Sequence, residues 1–349
     1  MSTMLAARLI KPGEPLRIDE LAVPSPAAGE VLVKVGACGL CGTDLHLAVV
    51  GDIPVERVPI TLGHEGAGVV AALGEGVAGL REGDRVALFP AASCGRCRFC
   101  LQGRESLCDA SKVYGMARDG ALAEYVAVPA RSTIRLPENV SFEIGAIVTD
   151  GVSTPFHALR RRGQLVAGET VAIFGCGGLG THAILLARLM GAARIAAVDV
   201  NEAALARALA LGVDLAVNPN SEDPAKAIRA RFGRGVDLAL EFVGLPATVE
   251  AAIRALDKAG RAVLVGVGIG RPALPPLLAF VGREQAVLGS FGMDRADIED
   301  LFTLIANGRL DLSASISARY PLREANAALG HLAGKSEGVV RIVVVPAAL

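Results

Sequence analysis

Up to about Ser141 the apolar positions come in short runs broken by glycine, proline and charge; beyond it they come in longer blocks that alternate between two periods. Leu5–Leu9, Leu16–Leu21 and Glu30–Val35 read as strands, with a Lys11-Pro12-Gly13-Glu14-Pro15 turn between the first two. Ala67–Leu73, Arg85–Phe89 and Ala123–Val128 continue the series, with a turn at Glu82-Gly83-Asp84. This β-rich start predicts an antiparallel barrel or sandwich. Phe142–Val148 and Pro155–Arg162 then read as two helices, separated by Asp150-Gly151-Val152-Ser153-Thr154. On the residues alone, Asp150 is a capping carboxylate just upstream of a helix start.

From residue 169 to about 288 the pattern is strand, helix, strand, helix. The strands are Glu169–Phe174, Ala193–Val198, Leu215–Val217, Val236–Glu241, Arg261–Gly266 and Val287–Phe291. The helices are His182–Met190, Glu202–Leu211, Ala225–Arg231 and Pro246–Ala259. Near-continuous apolar strands separated by helices predict a doubly wound parallel sheet, so the chain is α/β overall. The first strand runs into Gly175-Cys176-Gly177-Gly178-Leu179-Gly180, and a helix follows. Glycines at that junction let a pyrophosphate lie against the helix N-terminus. Asp199 closes the second strand nineteen residues past Gly180, where a carboxylate accepts hydrogen bonds from a ribose diol. It would repel a 2′-phosphate, and the residues that follow it offer no cation before Arg207, so NAD is expected over NADP. Helix Asp297–Asn307 and strand Val339–Val345 finish the chain.

Composition narrows the class. The chain has 349 residues, 52% hydrophobic and 20% charged, which suffices for two buried cores. A net charge of −1 without basic blocks argues against nucleic acid or an anionic membrane as partner. The start, Met1–Arg8, lacks a charged segment followed by a long apolar core, and no apolar run reaches membrane length. A cytoplasmic location is therefore expected.

Cysteine spacing carries the first chemistry. Cys94, Cys97, Cys100 and Cys108 lie within fifteen residues, and four thiolates so placed can wrap one tetrahedral ion. A closed all-sulfur site leaves no position for substrate, so it reads as structural zinc, with an iron–sulfur cluster as the competitor. Cys38-Gly39-Leu40-Cys41-Gly42-Thr43-Asp44-Leu45-His46 and Gly63-His64-Glu65 offer a thiolate, imidazoles and carboxylates. Catalytic zinc needs three protein ligands and one open position, and Cys41 and His64 can supply two. Cys38, Cys176, His157, His182 and His331 read as packing residues.

Over essentially its full length the chain resembles the zinc-dependent alcohol dehydrogenases of the medium-chain dehydrogenase/reductase family. The resemblance rests on Gly63-His64-Glu65-x-x-Gly68, the four-cysteine lobe, Gly-x-Gly-Gly-x-Gly, and their order and spacing. It implies a GroES-like catalytic domain over 1–151, with the structural zinc lobe at 91–110, a Rossmann NAD-binding domain over 152–290, and a return to the catalytic domain over 291–349. It implies two zinc ions per chain. Cys41 and His64 match catalytic zinc ligands, and Asp150 falls at the position of the third, displacing the capping reading. Glu65 matches a residue behind the zinc that serves as an alternate ligand, and Asp44 an acid that orients the ligand histidine. Thr43 and His46 match a proton relay. The cofactor set it implies is Gly175, Gly177, Gly178, Leu179, Gly180, Asp199, Val243, Val265 and Arg341, the last meeting the pyrophosphate. One departure is Gly42, where some relatives carry a basic pyrophosphate contact.

The expected activity is reversible hydride transfer between an apolar primary or secondary alcohol and NAD. The runner-up is an NAD-dependent dehydrogenase of a cyclic hydroxyacyl-CoA thioester, suggested by Asp150-x-x-Ser-Thr-Pro. A zinc-free enone reductase lacks the ligand set, and a non-catalytic NAD-binding protein would leave Thr43 and His46 without purpose. Val49, Val50, Phe89, Tyr114 and Ser290 are expected around the substrate. The family implies a homo-oligomer, dimer or tetramer, through the Rossmann edge strand.

Overall fold

Strand Glu30–Leu40 has almost no polar positions and is buried along nearly its whole length, which requires neighbours on both edges and both faces. In the computed structural model, which describes residues 2–334 and 338–346, it is the centre of a seven-stranded sheet. The chain divides into two compact units, residues 1–153 with 293–349, and residues 154–292.

In the first unit the main sheet runs Thr133–Arg135, Arg85–Leu88, Glu65–Leu73, Glu30–Leu40, Arg341–Val345, Ile316–Pro321. Tyr125–Pro129 also pairs with Glu30–Leu40. All neighbours are antiparallel except Ile316–Pro321 and Arg341–Val345, which are parallel. A second sheet holds Arg17–Ala22, Thr3–Leu9 and Ile60–Thr61. Their inward faces share a core that includes Leu9, Val33, Val35, Leu40, Leu62, Val86, Leu88 and Val344.

The register of three strands matters for function. Gly39 pairs with Glu65, and Ile342 pairs with Leu40. Cys41, His64 and Arg341 therefore leave the ladder side by side at one end of the sheet. Gly39 makes this possible, because a Cβ there would lie 2.2 Å from Glu65 Oε2.

One expectation fails, and two elements were not foreseen. Residues 142–162 are helical without a break, as Phe142–Ile147, the wide turn Val148–Val152, Ser153–His157 and the wide turn Ala158–Arg162. Asp150 is thus no N-cap; it lies inside a π-type turn. Pro155, lacking an N–H, cannot bond the carbonyl four residues back, and the chain widens there rather than stopping. Strand Ile316–Pro321 and helix Ala325–Ala333 were not expected at all; the strand's alternating burial is weak in the sequence because its edge is solvated.

The second unit is a six-stranded parallel sheet ordered Leu215–Val217, Arg194–Val198, Thr170–Phe174, Val236–Glu241, Leu256–Leu264, Ala286–Gly289. The first strand in sequence, Thr170–Phe174, sits in the middle and is wholly buried. Strand order reverses between it and Val236–Glu241, which places a ligand crevice at their carboxyl ends. Helix Pro246–Ala255 ends four residues before its expected end at Ala259, because Leu256 already pairs with Val236. Tertiary pairing overrides local helix preference there.

Candidate active site and cofactor turn

Cys41 caps a short helix, Gly42–Leu45, at the end of the central strand. Its backbone N–H donates to Asp44 Oδ2 at 2.9 Å, which fixes the thiol's direction. His64 follows Gly63, whose φ of +95° turns the chain back into strand Glu65–Leu73. Asp150 approaches from the wide helical turn. Cys41 Sγ lies 3.4 Å from Asp150 Oδ2, and His64 Nε2 lies 3.5 Å from the same oxygen. One donor atom from each of Cys41, His64, Glu65 and Asp150 falls within 4.8 Å of all the others.

These separations suit zinc. Metal–ligand bonds of about 2.0–2.3 Å in a tetrahedron place ligand atoms roughly 3.3–3.8 Å apart. A second sign is an orphaned pair of polar atoms. His64 Nδ1 and Asp44 Oδ1 are buried without a hydrogen bond, 3.8 Å apart. An imidazole drawn to a metal through Nε2 presents its Nδ1–H to that carboxylate, the arrangement that orients metal-bound histidines. Asp150 is the most exposed of the three, its side chain 17% accessible against 6% for His64, so the site opens on its side.

The electrostatics agree. Burial raises the Cys41 thiol above its ordinary pKa, and the Asp150 carboxylate adds to the rise. Burial pushes Asp44 up as well. Burial opposes charge on His64, yet Asp44, Asp150 and Cys41 outweigh it and hold the ring protonated to well above its ordinary value. Burial pushes Glu65 to about 7 against the pull of Arg341. Metal-free, the cluster keeps protons to limit its buried negative charge; a dication would replace them.

Behind this cluster the Arg341 guanidinium is hydrogen-bonded to both carboxylate oxygens of Glu65. Gly151 makes room, since a Cβ there would lie 2.7 Å from Arg341 Cζ. Arg341, expected at the pyrophosphate, has Glu65 as its partner here.

Thr43 Oγ1 lies 3.6 Å from Cys41 Sγ, beside the cluster. His46 is exposed one turn later, and its Nδ1 lies 2.9 and 3.1 Å from the two oxygens of Asp52. The sequence reading missed Asp52; Gly51, in the left-handed region, is the turn signal that brings it back. Among residues expected around the substrate, Phe89 and Tyr114 are buried, 4% and 1% exposed, and Tyr114 belongs to the hydrophobic core. Val49 and Val50 are exposed.

The four-cysteine lobe is a separate cluster. Cys94, Cys97, Cys100 and Cys108 offer sulfurs within 4.8 Å of one another, with Cys94 and Cys100 Sγ 4.0 Å apart. Backbone N–H groups of Cys97 and Cys100 point at the preceding thiols, at 3.4 and 3.5 Å. The N–H groups of Arg96 and Cys97 hold the Cys94 thiol down to about 6, whereas burial pushes Cys100 up to about 12. No disulfide forms among the described residues. Four thiols with fixed N–H donors and no disulfide fit a structural tetrahedral ion.

In the second unit, Gly175 turns with φ +88°, and a Cβ on it would meet Val243 Cγ2 at 2.7 Å. A Cβ on Gly180 would lie 1.9 Å from the Gly175 carbonyl oxygen, so helix and strand pack backbone to backbone. Gly177 caps helix Gly178–Leu189, and no atom lies within 4 Å of where its Cβ would be. That open space above unpaired helix N–H groups suits a diphosphate. Leu179 lies in the helix's first turn. Val243 and Val265 flank the crevice, where the Glu241 carboxylate accepts from Val243 N–H at 2.8 Å and the Glu241 carbonyl from Val265 N–H at 2.8 Å. Asp199 sits at the end of strand Arg194–Val198.

Comparison with known proteins agrees with this fold. Residues 27–138 match the alcohol dehydrogenase GroES-like domain and residues 178–307 the zinc-binding dehydrogenase domain. An alcohol dehydrogenase of Geobacillus stearothermophilus is 37% identical over 299 residues, 85% of this chain and 87% of that protein. An NAD-dependent alcohol dehydrogenase of Sulfurisphaera tokodaii is 34% identical over 98% of this chain and 100% of its own. Among solved structures, an NADP-bound protein of Sinorhizobium meliloti 1021, assigned as a zinc-binding dehydrogenase, superposes with a TM-score of 0.90 at 33% identity, covering 99% of this chain and 100% of the other. The chain belongs to the zinc-dependent alcohol dehydrogenases of the medium-chain dehydrogenase/reductase family. Among the described residues no helix is long and apolar enough to cross a membrane.

Proposed function

We propose that the protein transfers a hydride reversibly between an apolar primary or secondary alcohol and NAD, with Cys41, His64 and Asp150 holding a catalytic zinc ion. The observation that carries this is the approach of Cys41 Sγ and His64 Nε2 to Asp150 Oδ2, within 3.5 Å. When bound, zinc supplies Lewis acidity at the alcohol oxygen and NAD accepts the hydride. The chain's own residues do the rest. Thr43 takes the hydroxyl proton and passes it towards His46. Asp52 accepts from His46 Nδ1–H, which leaves Nε2 as the basic nitrogen, and the ring is exposed to solvent, where the proton leaves. Asp44 orients His64, and the Glu65 carboxylate, neutralised by Arg341, is the alternate ligand. The four-cysteine lobe holds the second, structural zinc.

A panel of alcohols with NAD, read as absorbance of the reduced cofactor, tests this reading. Turnover of apolar primary or secondary alcohols is expected. Turnover confined to a cyclic hydroxyacyl-CoA thioester would move the assignment to that substrate, and turnover of neither would defeat it.

The preference for NAD rests on Asp199. Its Oδ2 accepts from Cys176 N–H at 2.6 Å and Oδ1 from Asn201 N–H at 2.8 Å, which aims the carboxylate along the cofactor turn. Each oxygen retains a lone pair for a ribose hydroxyl. We expect Asp199→Gly to lower kcat/KM for NAD by about 10–100-fold, the worth of hydrogen bonds to a charged group, and to raise the NADP-to-NAD ratio. An unchanged ratio would remove Asp199 from cofactor choice.

A homo-oligomer, dimer or tetramer, is part of the proposal. Leu277, Leu278 and Val281 are 72%, 90% and 69% exposed just before the edge strand Ala286–Gly289, an apolar cluster that a second copy would cover. Cysteines spaced for metal rather than for disulfides support a cytoplasmic location.

A further inference from the structure

We propose that Arg207 is a positioning residue for NAD, aiming the Gly177 N–H at the cofactor diphosphate by clamping the Cys176 carbonyl from behind. Arg207 projects from helix Glu202–Ala210. Its Nη2 donates to the Cys176 carbonyl oxygen at 2.8 Å. Its Nε donates to Thr181 Oγ1 at 3.2 Å, and that hydroxyl donates to the same carbonyl at 3.2 Å. From the other side, Cys176 N–H is held by Asp199 Oδ2. Three segments thus fix one residue of the glycine-rich turn: the end of strand Arg194–Val198, helix Glu202–Ala210 and the first turn of helix Gly178–Leu189.

The consequence follows from peptide planarity. The Cys176 carbonyl and the Gly177 N–H belong to one trans peptide unit and point in opposite directions. Holding the carbonyl towards Arg207 therefore aims the Gly177 N–H away from it. Gly177 is the helix cap and has open space where a side chain would be. Glycine alone would let this peptide rotate, since it adopts many backbone conformations at little cost. The charge-assisted bond removes that freedom before the cofactor arrives, so less of the binding energy is lost to ordering the turn.

Arg207 is also the first cation that follows Asp199 along the chain, and a 2′-phosphate clamp is the rival role. The geometry favours the turn, because Nε and Nη2 both point into it. The proposal rests on NAD as the cofactor. Titration of the protein with NADH, followed by fluorescence, keeps the two apart from each other and from turnover. Arg207→Met is expected to raise the NADH Kd about tenfold or more, the worth of one hydrogen bond to a charged group, with kcat at saturating NAD within about twofold. Arg207→Lys restores part of the affinity. Thr181→Val, which removes only the bridging hydroxyl, raises the Kd a few-fold, about what a neutral hydrogen bond contributes, and serves as the readout if Arg207→Met does not fold. An NADH Kd unchanged in Arg207→Met, or in Thr181→Val where that variant is the readout, overturns the proposal while leaving the cofactor assignment intact. Weakened binding of NADPH alone overturns it in favour of the phosphate clamp. Wild-type protein that binds no NADH overturns both.

Discussion

His64→Ala and Cys41→Ser are each expected to abolish measurable NAD-linked alcohol turnover and to lower the zinc content by one ion per chain. Removing partners that only orient a ligand costs roughly 10–100-fold in metal affinity or activity, so deleting a ligand atom costs more than about 100-fold. Charge explains why no neighbour compensates. A Cys41 thiolate and an Asp150 carboxylate together balance a dication, while Glu65 is balanced by Arg341. Asp150→Asn leaves the ion with one unbalanced charge in a buried site and is expected to lose the metal too. Asp150→Cys restores both the charge and a donor and should retain zinc and part of the activity. Elemental analysis beside steady-state kinetics decides the matter. Full turnover in His64→Ala and Cys41→Ser would defeat zinc catalysis at this site, and zinc retained in Asp150→Asn would remove Asp150 from the ligand set.

Arg341→Met is expected to destabilise the protein by about 3–5 kcal/mol, the cost of leaving one member of a buried ion pair uncompensated. The side chains of Arg341 and Glu65 are 4% and 0% exposed, so water cannot take over. In the metal-free protein the defect depends on pH. Burial raises the Glu65 carboxyl from 4.5 to about 7, so the folded state binds its proton more tightly than the unfolded state. That contribution to stability is complete below pH 4.5 and is lost as pH rises through about 7. Without Arg341 the carboxyl titrates higher still, so Arg341→Met is less harmful under acidic conditions than alkaline ones. Glu65→Gln combined with Arg341→Met costs less than the sum of the two single changes, because no charge is left alone. Denaturant unfolding of the four proteins, stripped of metal, measures this. Additive costs, or a defect for Arg341→Met under about 1 kcal/mol, would show that the pair is not coupled.

What the sequence determined by itself is local. Thr170–Phe174, the glycine turn and Asp199 lie within thirty residues, and near-continuous apolar strands identify a buried parallel sheet without reference to anything distant. The four cysteines belong to one short excursion of chain, so spacing alone brings them together. Cys41 and His64 were legible as metal donors by type, but their meeting is a consequence of strand register, Gly39 opposite Glu65.

Only the tertiary structure decided the rest. Asp150 reaches Cys41 across 109 positions, and Arg341 reaches Glu65 across 276. No periodicity encodes contacts at such range; Arg341 and Glu65 meet because their strands flank Glu30–Leu40 in one sheet, and Asp150 arrives on a helical turn packed against that sheet. Local signals misled at Asp150, where Ser-Thr-Pro imitates a helix start although the helix passes through it, and at Leu256, where strand pairing cuts a helix short. Asp52 and Arg207 carry ordinary charges in ordinary polar segments, and only coordinates show one holding His46 and the other holding the Cys176 carbonyl. A side chain's chemistry is written in its type, but its partner is chosen by packing.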